Sequence, residues 1–227
     1  MTIKISSIHF CPVKSVSYQT VDHCNVHKDI GLEGDRVFAF LKNLEADDPT
    51  LIDKETNNVS CYDPSSGSGT LLINLAHQIG EEKCTINSQD ISQKSTQLLR
   101  LNLILNNLVH SIPNVIQGNV ITDPYHKDKN YNLKKFDYIV SNPPFKLDFS
   151  DYRDNLDTKE NKDRFFAGIP NIPPKEKDTM AIYLLFIQHI VSSLNVNGKA
   201  AIVVPTGFLT AKSLAKKIRE KIVKDKI

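Results

Sequence analysis

From Val59 onward the chain alternates short apolar runs with longer stretches whose apolar residues recur every three or four positions. Val59-Ser60-Cys61-Tyr62-Asp63 reads as a short strand, followed by a glycine-containing loop. Thr70-Leu71-Leu72-Ile73-Asn74-Leu75-Ala76 then begins a helix. Cys84 through Gln89 predicts a second strand ending at Asp90. Ser92 can cap the next helix, in which Leu98, Leu99, Leu101 and Ile104 are expected to form the buried stripe. Val115 and Ile116 mark a third strand, and Phe136-Asp137-Tyr138-Ile139-Val140 a clearer fourth. Ala181 through Leu194 reads as a long apolar helix, Ala200 through Pro205 as a fifth strand, and Lys212 through Lys224 as the start of a charged amphipathic helix. Strands and helices in this alternation predict a doubly wound α/β sheet with buried parallel strands.

The first part of the chain follows another pattern. In Thr2-Ile3-Lys4-Ile5-Ser6-Ser7-Ile8 and Val37-Phe38-Ala39-Phe40, β-branched and aromatic residues alternate with others, and Gly31 and Gly34 supply a turn before the second piece. Residues 1–42 are therefore expected to be β-rich, with short antiparallel strands. Asn43 to Asn58 is polar and acidic, with Glu45, Asp47, Asp48, Asp53 and Glu55, and reads as a connector. The division is then 1–42, 43–58 and 59–227.

Composition adds few constraints. Hydrophobic residues make up 40% of the 227 and charged residues 24%, as in ordinary soluble domains. A net charge of +2, from 28 basic and 26 acidic residues, neither demands nor forbids a nucleic-acid partner. No apolar run of about 18 residues is present, so no membrane span is expected. Cys11, Cys24, Cys61 and Cys84 form no C-x-x-C pair and read as reduced thiols of a cytoplasmic protein. His23 and His27 flank Cys24 without a fourth nearby ligand, so no metal site is expected.

The chemistry lies in two turns. In Asp63-Pro64-Ser65-Ser66-Gly67-Ser68-Gly69, Gly67 and Gly69 let the backbone turn tightly and approach a ligand, and the helix beyond supplies free amide donors. Asp63 can accept from a cationic ligand group. A tight packing turn is the plainer reading, and the pattern departs from the dinucleotide fingerprint. After the second strand, Asp90 could accept from ribose hydroxyls or simply cap a helix. Asn119, near the end of the third strand, could donate to and accept from an adenine ring, or could make a simple turn. Together these positions imply a nucleoside-sized ligand across the strand ends.

Asn142-Pro143-Pro144-Phe145 directly follows the fourth strand. Its prolines restrict the backbone and remove competing amide donors. The Asn142 side-chain carbonyl and the Pro143 backbone carbonyl could grip an exocyclic amine, while Phe145 could stack on an inserted base. The alternative is a rigid turn with Phe145 in the core. Residues 146–178 interleave Lys146, Arg153, Lys162 and Arg164 with acids and with Phe149, Tyr152, Phe165 and Phe166, and read as a substrate-facing loop, with an ordinary polar excursion as the alternative.

These motifs carry a resemblance. Residues 59–224 resemble the modification subunit of type I restriction-modification systems, within the amino-methyltransferases. It rests on Tyr62 through Leu72, Ser88-Gln89-Asp90, Asn102 through Leu105, Asn119, Ser141 through Phe145, Tyr183 through Ile190 and Gly198 through Leu209. It implies an α/β fold, an incomplete doubly wound Rossmann-like S-adenosylmethionine-dependent methyltransferase sheet preceded by a short β-rich segment. The implied activity is site-specific methyl transfer from S-adenosyl-L-methionine to adenine N6 in DNA, with specificity and restriction subunits as partners. It also implies cofactor contacts at Asp63 (methionine end), Gly67, Gly69, Asp90 (ribose) and Asn119 (adenine), and target-base handling at Asn142, Pro143 and Phe145, with no metal. Two positions depart from the family pattern. Asn119 stands where an acid is usual, and Asp90 where glutamate is usual.

Residues 3–40, through Cys11-Pro12-Val13-Lys14-Ser15 and Gly31-Leu32-Glu33-Gly34-Asp35-Arg36, resemble instead the opening of an N-terminal MOSC-associated β-barrel domain. No sulfur-transfer or molybdenum activity is carried over from it. The expectation is a truncated or fused methyltransferase core, impaired when alone, with an open sheet edge beyond its fifth strand. A noncatalytic cofactor- or subunit-binding remnant, and an RNA or protein methyltransferase, remain as alternatives.

Overall fold

In the computed structural model, residues 58–225 and 227 are described throughout, and five short strands are described before them. The strands are β1 (Ile8–Phe10), β2 (Gln19–Val21), β3 (Val26–His27), β4 (Gly31–Leu32) and β5 (Val37–Leu41). The main body runs β6 (Val59–Asp63), α1 (Thr70–Ile79), β7 (Cys84–Asp90), α2 (Gln93–Leu105), β8 (Val115–Gln117) and β9 (Phe136–Ser141). It continues through α3 (Arg153–Leu156), α4 (Tyr183–Ser193), β10 (Leu194–Val204) and α5 (Leu214–Lys224).

The central strands lie in the order β10-β9-β6-β7-β8, and every pair among them is parallel. This is the doubly wound sheet that the sequence predicts. From β6 the chain winds outward through β7 to β8, then returns to the other side of β6 to form β9 and β10. The winding reverses between β6 and β9, and crevices outside the carboxyl ends of strands at such a reversal bind ligands.

Burial on both faces explains the strand compositions. Val59, Cys61, Cys84 and Ile86 pack with Leu72, Ala76, Ile79, Leu99 and Leu103 of α1 and α2. Tyr62, Phe136, Ile139 and Ile202 pack on the other face with Ile187 and Ile190 of α4 and Ile218 and Ile222 of α5. Cys61 and Tyr62 thus serve opposite layers, as the two-residue period of a strand requires. Cys61 and Cys84 are buried free thiols.

Helix α2 is capped as expected, Ser92 Oγ accepting from the Ser95 N–H at 3.2 Å. Its buried stripe keeps only Leu99 of the expected leucines and isoleucine. Thr96, Leu99 and Leu103 face the core, whereas Leu98, Leu101 and Ile104 are exposed. One helix cannot bury both sets, and the core set includes a threonine that apolar periodicity overlooks.

Strand β10 is longer than predicted because it follows α4 at once and shifts register between Leu194 and Lys199. Gly198 sits in that shift, where a Cβ would lie 2.8 Å from the Phe136 carbonyl oxygen of β9. The expected open edge beyond β10 is occupied. β5 pairs antiparallel with it from Leu41↔Ala200 to Val37↔Val204, and β1 and β2 extend the same sheet. Residues 1–7, the connector from 43 to 57, and Cys11, Cys24 and their expected roles lie outside the described residues.

Part of the segment from 146 to 178 turns inward, while Lys146, Lys159 and Lys162 stay exposed. Phe149, Leu156 and Phe165 are buried with Val120, Ile121, Met180, Ile182, Leu185 and Phe186 in a third apolar cluster. Its aromatic residues fill space beside the sheet rather than line an open face.

Candidate active site

Asp63 ends β6 in full burial, with only 1% of its surface exposed. Its carboxylate accepts from the Ser65 N–H at 2.8 Å and weakly from the Ser65 hydroxyl at 3.4 Å. Among the described residues it has no ion-pair partner. Burial pushes the carboxyl up to about 7, and the Asp90 charge adds to the rise against the lowering by Ser65 and Ser141. Such a group gains a counter-charge when a ligand brings a cation.

The glycines of the following loop divide their tasks. Gly67 has φ +53, and a Cβ there would meet nothing within 4 Å, so its backbone borders open space. Gly69 has φ +84, and a Cβ there would lie 2.1 Å from Leu99 Cδ1. Leu99 is fully buried, so Gly69 is a packing glycine that lets α2 close on the loop. Ligand approach, expected at both positions, is thus available at Gly67. Asn102 Nδ2 donates to the Ser68 carbonyl at 2.9 Å and holds the same contact. Among the described residues Ser66 Oγ and Ser88 Oγ are buried without a hydrogen-bond partner, and Ser88 is level with Asp63 in the sheet.

Asp90 uses both carboxylate oxygens to organise this edge. Oδ2 accepts from the Gly67 N–H and Oδ1 from the Ser92 N–H, each at 2.8 Å. The same side chain ties down the loop and the entry to α2, and each oxygen keeps a lone pair for a further donor.

Asn119 lies one strand further along the carboxyl edge, just after β8. Its Oδ1 accepts from the Ile121 N–H at 3.0 Å, and the Asp123 N–H donates to its backbone carbonyl at 2.9 Å. The atom facing Ile121 must be the oxygen, because a backbone N–H can only donate. The side chain therefore presents its amide nitrogen as a donor. The oxygen keeps a second lone pair, so the side chain can still both donate and accept.

At the end of β9, Asn142 is exposed and its side chain makes no hydrogen bond among the described residues. Pro143 is buried, and Phe145 is half-buried edge-on to Tyr183, ring centres 6.3 Å apart. Tyr183 in turn meets Phe208 edge-on at 6.1 Å. The two turns are joined directly, for the Ser65 and Ser141 hydroxyls hydrogen-bond at 2.7 Å. Asp63, Gly67, Asp90 and Asn142 therefore share the edge where the winding reverses.

Sequence reasoning missed a buried polar chain behind this edge. Arg164 donates through Nη1 to the Ile121 carbonyl at 2.8 Å, through Nη2 to the Val120 carbonyl at 2.5 Å, and through Nε to His189 Nδ1 at 3.1 Å. His189 Nε2 lies 3.0 Å from the Tyr62 hydroxyl. With Nδ1 accepting, Nε2 carries the proton and donates to Tyr62. Burial keeps His189 well below the usual histidine range and brings Arg164 down to about 10. Two polar residues within an otherwise apolar helix, Gln188 and His189, were the available signal. Gln188 also proves structural, accepting from the Ala167 N–H at 2.7 Å. Among the described residues no group of His, Cys, Asp or Glu could hold a metal ion, and no helix is long and apolar enough to cross a membrane.

Comparison with known proteins now identifies the family. The N-6 DNA Methylase family model matches residues 49–227. The MpnII type I restriction enzyme methylase subunit of Mycoplasma pneumoniae is 31% identical over 170 residues, covering 71% of this chain and 30% of that protein. The MjaIX type I methylase subunit of Methanocaldococcus jannaschii is 29% identical over 173 residues, covering 73% and 28%. The crystal structure of a type I restriction-modification system methyltransferase subunit from Streptococcus thermophilus shares the fold. Its TM-score is 0.62 at 21% identity, over 77% of this chain and 35% of that one. The chain thus spans about 30% of the length of the curated relatives it matches. With the match running through both turns and the whole parallel sheet, the chain belongs to the N-6 DNA methylase family.

Proposed function

We propose that this chain carries the catalytic core for site-specific methylation of adenine N6 in DNA, using S-adenosyl-L-methionine. Its setting would be a cytoplasmic type I restriction-modification assembly, with specificity and restriction subunits as partners. The observation that carries this reading is the Ser65–Ser141 hydrogen bond. It binds the glycine turn to the Asn142-Pro143-Pro144-Phe145 turn at the reversal point of the sheet.

The residues suit the cofactor. Asp63 is a buried carboxylate that lacks a cation, as the methionine ammonium group requires. Gly67 leaves open space at its Cα, and Asp90 has acceptor capacity left for ribose hydroxyls. Gly69 supports the same loop through packing, and Asn119 offers a donor to a purine ring nitrogen. When bound, the cofactor supplies a methyl group made electrophilic by its sulfonium.

On the other side of the edge, the Asn142 side-chain oxygen and the Pro143 carbonyl accept the two N–H bonds of the target amine. That orientation leaves the nitrogen lone pair directed at the methyl and favours positive charge developing on nitrogen. The extra proton leaves after attack. Phe145, propped by Tyr183, stacks on the extruded base.

The test is transfer of a labelled methyl group to unmodified DNA, RNA and polypeptide acceptors, with and without a matching specificity subunit. Label on DNA, recovered as N6-methyladenine, supports the proposal. Label on RNA or polypeptide alone would reassign the substrate. Cofactor binding with no transfer to any acceptor would leave a binding role only.

A further inference from the structure

We infer that Arg164 is a positioning residue for the cofactor's purine, acting through the turn from Asn119 to Ile121. The inference rests on the reading of that strand edge as the cofactor site. Arg164 belongs to the segment after Phe145, whose charges read in sequence as substrate-facing, yet only 5% of its surface is exposed. Its fork grips two consecutive carbonyls, Val120 and Ile121, in the turn that Asn119 opens. The Ile121 N–H in turn holds Asn119 Oδ1. Arg164 therefore decides where the Asn119 amide can point.

The chemistry argues against mere filling of space. Among the described residues the three hydrogen-bond partners of the guanidinium are all neutral, two carbonyls and a neutral histidine. Its flat face lies over the Phe165 ring at 4.5 Å. A buried cation without a counter-charge is costly, and an apolar side chain of similar volume would fill the same space more cheaply. A planar fork does what an apolar chain cannot: it fixes two adjacent peptide groups at once. The third donor anchors the fork to His189 of α4, and His189 reaches Tyr62, the residue before Asp63. One buried chain of hydrogen bonds thus spans the two ends of the expected cofactor position.

The experiment measures S-adenosylhomocysteine affinity by calorimetry, and separate KM values for S-adenosylmethionine and DNA, in the full chain with its specificity subunit. Arg164→Lys keeps the charge but loses the fork. Its affinity for S-adenosylhomocysteine should fall about 10-fold, the factor of one lost hydrogen bond. KM for the cofactor should rise with it, while KM for DNA stays put. His189→Gln keeps an acceptor for Arg164 Nε and should bind within about 2-fold of wild type, whereas His189→Leu strands that donor and should weaken binding about 10-fold. The Gln-versus-Leu comparison decides the question if the lysine variant fails to fold. Wild-type affinity in Arg164→Lys, equal affinities in the two His189 variants, or a rise confined to KM for DNA would each overturn the inference. Failure of the wild-type chain to bind S-adenosylhomocysteine at all would instead overturn the cofactor site itself, and the inference with it.

Discussion

Replacing Gly67 and Gly69 separately by alanine should produce opposite defects. Both glycines have positive φ, +53 and +84, so either alanine incurs a left-handed backbone cost of about 1–2 kcal/mol. At Gly67 the added methyl meets nothing within 4 Å, so the stability loss ends there. At Gly69 it would sit 2.1 Å from Leu99 Cδ1, inside the core layer of α1 and α2. Overpacking of that kind adds about 1–3 kcal/mol, for a total of about 2–5 kcal/mol. Urea unfolding followed by circular dichroism should rank Gly69→Ala well below Gly67→Ala, at unchanged denaturant slope. S-adenosylhomocysteine titration at low temperature should give the reverse order. Gly67→Ala places its methyl where the ligand approaches, while folded Gly69→Ala retains binding. Equal stability losses, or cofactor binding that survives in Gly67→Ala and is lost in folded Gly69→Ala, would refute this division.

Three further outcomes follow from the same geometry. Asp63 holds its proton up to about 7 in the fold against an ordinary 3.8, so the folded state binds that proton more tightly than the unfolded chain. Stability from this group is present at low pH and is lost as pH rises between those values, by about 4 kcal/mol at most. Asp63→Asn should remove that slope from urea midpoints measured at pH 4.5 and pH 7.5, and an unchanged slope would disprove the assignment. Asn119→Asp keeps an oxygen for the Ile121 N–H but replaces the amide donor by an acceptor. Calorimetry should then show S-adenosylhomocysteine bound about 10-fold more weakly, and unchanged affinity would count against Asn119 as the donor to the purine ring. Asn142→Ala removes an exposed side chain without hydrogen-bond partners among the described residues, so thermal stability should stay within about 0.5 kcal/mol. Methyl transfer should nevertheless drop by about 100-fold or more, and an active alanine variant would remove Asn142 from the chemistry.

The parallel sheet was legible because β6 and β7 are buried on both faces and the helices α1, α2 and α4 are marked by a change of period. Both candidate turns were legible because each follows an apolar strand with glycines or prolines that cannot continue it. What escaped depends on partners far away in the chain. Gly69 looks like Gly67 until Leu99 is packed against it. Arg164 looks like a surface charge until it meets Val120 and Ile121, more than forty positions earlier. The helix α2 stripe was misphased because Thr96 belongs to the core face while three large apolar residues do not. Asn119 could be proposed from sequence, but which way its amide faces follows from one backbone N–H that sequence cannot orient.

The central claim is that the Asp63 and Asn142 turns form one methyl-transfer site. It is tested most directly by incubating the chain and a matching specificity subunit with unmodified DNA and S-adenosylmethionine, then digesting the DNA and quantifying nucleosides by mass spectrometry. N6-methyladenine should form in the wild-type reaction and be almost completely lost with Asn142→Ala, at equal S-adenosylhomocysteine affinity. Methylation at cytosine, or N6-methyladenine formed equally by both proteins, would contradict that claim.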